Sequence, residues 1–188
     1  MAPIAVPDFH ALYHLFPNSA DKPYVEIVLA EKVPQPYQQL LVHTHHMTVT
    51  VEQFYGQPVD VKVLDFLLAD HEYARKILLS ARHTKSVVQF GLVRIDLSVC
   101  PKPVRDAILE GQTPLGRVLI ENDMLRRIEP TAFLRVHVSA VMAGWFGCPP
   151  GTETYGRLGV IYTGDHPVIE VLEILAPVPH TPFVDWPR

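Results

Sequence analysis

Two charged residues sit on strands that otherwise read as apolar. Arg75 lies in Tyr73-Ala74-Arg75-Lys76-Ile77-Leu78-Leu79. On a strand it shares a face with Tyr73, Ile77 and Leu79. A guanidinium on an apolar face is destabilising unless it is paired. Two readings follow: an ordinary ion pair or a strand-end arginine reaching water, or a clamp for a ligand carboxylate, whose two oxygens match the guanidinium fork. Glu173 shares a face with Ile169, Val171 and Leu175. If Thr163 pairs with His166 around Gly164-Asp165, Gly156 stands opposite Glu173 and leaves open space above it. A buried carboxylate there suits proton transfer. The plainer reading makes Glu173 the salt-bridge partner of Arg75. Glu170 is a weaker candidate, on the opposite face.

Thr113-Pro114-Leu115-Gly116-Arg117 is a third feature. Thr113 is a good helix N-cap, and Pro114 suits the first helical position. Such a helix mouth offers unpaired N–H groups to an anion, and Gly116 puts no side chain in the way. The alternative is a plain capped helix. His43, His45 and His46, followed by Met47, resemble a metal site. No cysteine stands nearby and no HExxH spacing occurs, so no metal is expected. No G-x-S-x-G elbow, dinucleotide fingerprint or P-loop is present.

The elements that must position these residues read as α+β. Asp8 caps a helix from Phe9 to Phe16, and Tyr24 to Ala30 is a short strand. Residues 37–55 start as a helix, but Thr48-Val49-Thr50-Val51 is β-branched and weakens that reading. Strands are expected from Val59, from Tyr73 to Ala81 and from Val87 to Leu97. Pro103 to Glu110 is a helix stopped by Gly111, and the Thr113 helix follows. Phe133 to Val141 leans to strand. Tyr155 to Thr163 and Pro167 to Ala176 form a hairpin. Regular crossover helices are missing, which argues for an antiparallel sheet. Residues 1–36 read as an N-terminal arm, 37–177 as the domain and 178–188 as a tail.

The chain has 188 residues, enough for one domain, and is 48% hydrophobic and 19% charged. Its net charge of −4, without a basic stripe, argues against nucleic-acid binding. Two cysteines make a disulfide framework improbable. No apolar run is long enough to span a membrane. The first seventeen residues lack a basic region followed by an apolar core, so a cytoplasmic location is expected.

Taken together, these segments resemble the chorismate lyase family, from about Leu40 to Pro177. Leu40-Leu41 through Met47-Thr48 is similar to the family segment with a substrate-pocket methionine. The Tyr73–Leu79 strand is similar to the one bearing its carboxylate-binding arginine. Thr113–Arg117 resembles its motif with a substrate-contacting leucine, Tyr155-Gly156-Arg157 its aromatic-Gly-Arg strand, and Leu172–Pro177 the strand with its essential glutamate. The resemblance implies an antiparallel sheet with helices packed on one side and a ligand buried under helical flaps. It implies an enzyme that eliminates pyruvate from chorismate to give 4-hydroxybenzoate or a related hydroxybenzoate. Glu173 and Arg75 would be catalytic, and Arg75, Leu115, Gly116, Met47 and Glu173 would hold the substrate, with no cofactor or metal. The histidines before Met47 and the longer segment from Arg126 to Thr154 depart from the pattern. The alternative is a non-catalytic protein of the same fold that binds an aromatic carboxylic acid. The oligomeric state is not legible.

Overall fold

The computed structural model describes residues 7–17, 19–124, 127–163 and 166–178. Seven strands, β1 (Tyr24–Val28), β2 (Val59–Ala69), β3 (Glu72–Ala81), β4 (Val87–Asp96), β5 (Arg127–His137), β6 (Glu153–Thr163) and β7 (His166–Leu175), form one sheet in the order β1-β5-β6-β7-β4-β3-β2. Every neighbouring pair is antiparallel. This is the α+β class expected. The first 36 residues contribute edge strand β1 and a helix to it.

Side chains alternate between two faces. On one face lie Ile77, Leu79, Val93, Ile95, Val171 and Leu175, covered by α2 (Tyr37–Leu41), α3 (Met47–Tyr55), α4 (Lys102–Glu110) and α5 (Leu115–Glu121). These four form the expected helical layer. The other face carries Leu78, Phe90, Leu92, Leu134, Leu158 and Leu172, and the short α1 (Phe9–His14) and α6 (Ala140–Phe146) lie against part of it. Asp8 caps α1 by accepting from the Ala11 N–H, as its sequence predicts. Gly111, at φ 70°, stops α4 in the left-handed conformation that only glycine adopts cheaply.

The structure departs from the sequence reading at several points. The helix expected over 37–55 is two helices, broken by Val42–His46. The β-branched run Thr48–Val51 lies inside α3. Its propensity cost is at most about 0.7 kcal/mol per residue, and burying Met47, Thr48, Thr50 and Val51 outweighs it. Val141 belongs to α6, capped by Ser139 through the Met142 N–H, rather than to a strand. The turn at Gly164-Asp165 and tail residues 179–188 lie outside the described residues.

One register shift bears on the site. Thr163 does pair with His166, but a bulge between Ile161 and Tyr162 moves the rest of the β6–β7 pair by one residue. Glu173 therefore faces Arg157, and Gly156 faces Ile174. The open space expected at Gly156 is absent, because a Cβ there would meet the Glu173 carbonyl oxygen at 2.5 Å. The glycine beside Glu173 is Gly91, on β4.

Candidate functional site

A cavity of about 50 Å³ lies between the sheet and the ends of two helices. Its floor is the α2–α5 face: Arg75 and Ile77 from β3, Gln89 and Gly91 from β4, Arg157 from β6 and Glu173 from β7. Its roof is His46, Met47 and Thr48 at the start of α3, and Pro114, Leu115 and Gly116 at the start of α5. All five residues expected to hold a ligand, Met47, Arg75, Leu115, Gly116 and Glu173, line this one cavity.

The roof halves are packed tightly together. A Cβ on Gly116 would come within 2.7 Å of Thr48 Oγ1 and 3.1 Å of Thr48 Cβ. Gly116 thus serves close contact between α5 and α3. Arg117 binds the Glu52 carboxylate of α3 from the next position. The helix mouth reading is corrected here. Pro114, not Thr113, occupies the N-cap position without a side-chain cap, and the helix has seven residues. Its short dipole and its packing give a roof, not an anion cradle.

The two arginines of the floor differ sharply. Arg157 is 1% exposed and saturated with acceptors. Its Nε donates to Glu173 Oε2 at 2.7 Å, Nη1 to the Leu41 and His43 carbonyls at 3.1 and 2.9 Å, and Nη2 to the His45 carbonyl at 3.3 Å. It therefore pins the α2–α3 connection to the sheet. Arg75 is also 1% exposed, yet among the described residues it has no carboxylate partner. Nη1 donates weakly to the Ile108 carbonyl at 3.5 Å, and Nε has no partner. Burial pushes its pKa down, and the neighbouring Tyr73 hydroxyl opposes that. A guanidinium nevertheless stays charged in a protein. Glu173 is thus not the partner of Arg75. The two guanidiniums and single carboxylate leave one positive charge uncompensated in the cavity wall.

Glu170 lies on the opposite face as expected, paired with Arg94 at 3.3 Å. His43 holds its own loop. Its Nε2 lies 2.8 Å from the Leu40 carbonyl, and its Nδ1 accepts from the His45 N–H at 3.1 Å. Burial first, and the Arg157 charge second, push its pKa down to about 4. Both nitrogens are engaged, so this imidazole offers no lone pair to a metal. Among the described residues no group of three or more His, Cys, Asp and Glu side chains is placed to hold one.

Sequence reasoning left out Arg157 and Gln89 as site residues. Both carry the signal that exposed Arg75 and Glu173, a polar residue within an apolar strand. Gln89 is 3% exposed, and its Oε1 has no partner.

No family model matches the sequence, and no curated protein matches it. Solved structures match at the level of the fold. The effector domain of PhnF from Mycobacterium smegmatis superposes with a TM-score of 0.53 at 11% identity, covering 72% of this chain and 91% of that domain. PhnF from the same organism gives 0.52 at 10% identity, and the match spans 72% of this chain and 65% of PhnF. A GntR-family transcriptional regulator from Bacillus cereus gives 0.46 at 12% identity, over 69% and 99%. The PhnF effector domain has the chorismate lyase-like fold, so the antiparallel sheet under a helical layer is the fold class of this chain.

The enzyme reading is corrected at this point. The matches described above are a regulator's effector domain and related regulator proteins, and none of them is a lyase. Glu173, the residue assigned to proton transfer, is committed to Arg157. The expected release of pyruvate and formation of a hydroxybenzoate, and with them a place in quinone biosynthesis that a lyase of this kind implies, fall with it. Among the described residues no helix is long and apolar enough to cross a membrane.

Proposed function

We propose that this chain is a non-catalytic binding protein for a small aromatic carboxylic acid. The observation that supports this reading is Arg75, a buried guanidinium in a cavity wall with no carboxylate partner among the described residues. A buried unpaired charge costs several kcal/mol. A ligand carboxylate accepting two N–H bonds from Arg75 offsets that cost, while Met47, Ile77, Val93 and Leu115 supply apolar walls for a ring. Glu173 and Arg157 act as a fixed strut that holds the α2–α3 connection beside the ligand. The regulator effector domains of like fold agree with a binding role.

The cavity of about 50 Å³ is smaller than the roughly 150 Å³ cavity that admits benzene elsewhere. An aromatic acid therefore requires α3 and α5 to move apart from the sheet, so binding and roof movement are coupled. Titration calorimetry of the purified chain with benzoate tests the reading. The expected result is binding that Arg75→Met abolishes. Absence of binding, or binding indifferent to Arg75→Met, overturns it. Incubation with chorismate is expected to release no pyruvate.

A further inference from the structure

Two buried polar groups of the cavity lack partners among the described residues, and they are of opposite kinds. Arg75 Nε is an unpaired donor, and Gln89 Oε1 is an unpaired acceptor. Both side chains line the same cavity, at 1% and 3% exposure. Gln89 stands opposite Leu79 of β3, and Arg75 lies four residues along that strand, opposite Val93. Their backbones are thus roughly 13 Å apart along the strand direction, with their side chains at two ends of one floor. Between them lie Ile77 and Gly91, which pair across β3 and β4. The floor reads as donor, apolar middle, acceptor.

We propose that Gln89 is a specificity-determining residue that accepts a hydrogen bond from a hydroxyl or amino group at the end of the ligand remote from its carboxylate. This rests on the reading of Arg75 as the carboxylate clamp. A buried acceptor without a partner is costly, and a ligand donor removes that cost. An acid without the donor leaves Oε1 unpaired and binds more weakly, which is how a buried polar group rejects an analogue lacking its complement. The favoured class is therefore an aromatic acid with a hydroxyl or amino substituent that can donate to this oxygen.

Calorimetric titration of the full chain with benzoate, 3- and 4-hydroxybenzoate and the two methyl ethers of the latter tests this. One hydroxybenzoate is expected to bind at least about tenfold more tightly than benzoate and than its own methyl ether. Gln89→Leu is expected to abolish that advantage while leaving benzoate binding in place. Should Gln89→Leu fail to give a cooperative melt, Gln89→Met removes the same acceptor with a more adaptable side chain. If all five acids bind wild-type chain equally and Arg75→Met abolishes binding, the clamp stands and the role of Gln89 is overturned. A methyl ether binding as tightly as its hydroxy acid overturns it as well. If none of the acids binds, or binding ignores Arg75, both inferences fall.

Discussion

Adjacent residues on β3 send two cations to opposite faces of the sheet, and their surroundings differ. Lys76 points to the face covered by α1. Its ammonium meets Asp21 at 2.8 Å and Ser19 Oγ at 2.8 Å. Arg94, on that same face, is held by Glu72 at 3.0 Å and Glu170 at 3.3 Å. Arg75, one residue away from Lys76, points into the cavity with no carboxylate among the described residues. A chain that supplies carboxylates to its buried cations on one face, and withholds one on the other, separates scaffold from site. The difference lies in pairing, not in burial, since both cations are below 10% exposed.

The comparison breaks most visibly at Asp21. Asp21→Ala leaves the Lys76 ammonium buried and unpaired and is expected to lower stability by about 3–5 kcal/mol. Arg75→Met, by contrast, replaces an already unpaired charge with an apolar chain, so stability is expected to hold or rise. Paired denaturant titrations of the two variants check this. An equal loss in both would mean that Arg75 has a structural partner, and would erase the distinction between the faces. Next in size is affinity: Arg75→Met is expected to weaken benzoate binding by roughly 2–3 kcal/mol or more, enough to take it below calorimetric detection, whereas Asp21→Ala should leave the affinity of whatever fraction remains folded unchanged.

Much of this contrast was legible in the sequence, and the reason is periodicity. Arg75 and Glu173 stand out because a strand alternates strictly, so a charge in line with isoleucines and valines must be buried. Arg157 and Gln89 stand in the same kind of line, between Tyr155, Gly159 and Ile161, and between Val87 and Gly91. What hid their roles was pairing across strands. The bulge beside Tyr162 shifted Glu173 from Gly156 to Arg157. Its one visible mark is Pro167, opposite Tyr162, which has no N–H for the ladder. The start of α5 was misread for a different reason. Thr113-Pro114 has the chemistry of a cap, and only the contact with Thr48 shows that Gly116 answers to packing.

That contact gives the next prediction. Gly116→Ala would place a methyl 2.7 Å from Thr48 Oγ1, so α5 must shift from α3. Overpacking of this kind costs roughly 1–3 kcal/mol. If the roof must part to admit a ligand, the variant is expected to lose less affinity than stability. Melting and benzoate titration of the same sample compare the two. Thr48→Ala combined with Gly116→Ala is expected to recover part of the stability, because the Oγ1 that stands 2.7 Å from the new methyl is removed from the crowded contact.

The smallest expected effect is that of pH, and it sharpens the contrast from the side of the loop. His43 titrates near 6.5 when unfolded and is pushed down to about 4 in the fold, by burial and then by Arg157. Above about pH 6.5 both states are neutral and its contribution to stability is fully present. As pH falls from there through 4, the unfolded chain takes up a proton that the folded chain refuses, so stability is lost across that window. The imidazole is partly exposed, so solvent screening keeps the amplitude below that of the substitutions above. His43→Gln is expected to flatten this part of the stability–pH curve, measured by urea melts between pH 4 and 7. Asp21 and Lys76 lie on the far face and provide the control. Asp21→Ala should lower the whole curve there without removing its slope. A slope unchanged by His43→Gln would mean that the α2–α3 connection is not where this protonation is felt, and that Arg157 does not hold the loop against the charge of His43.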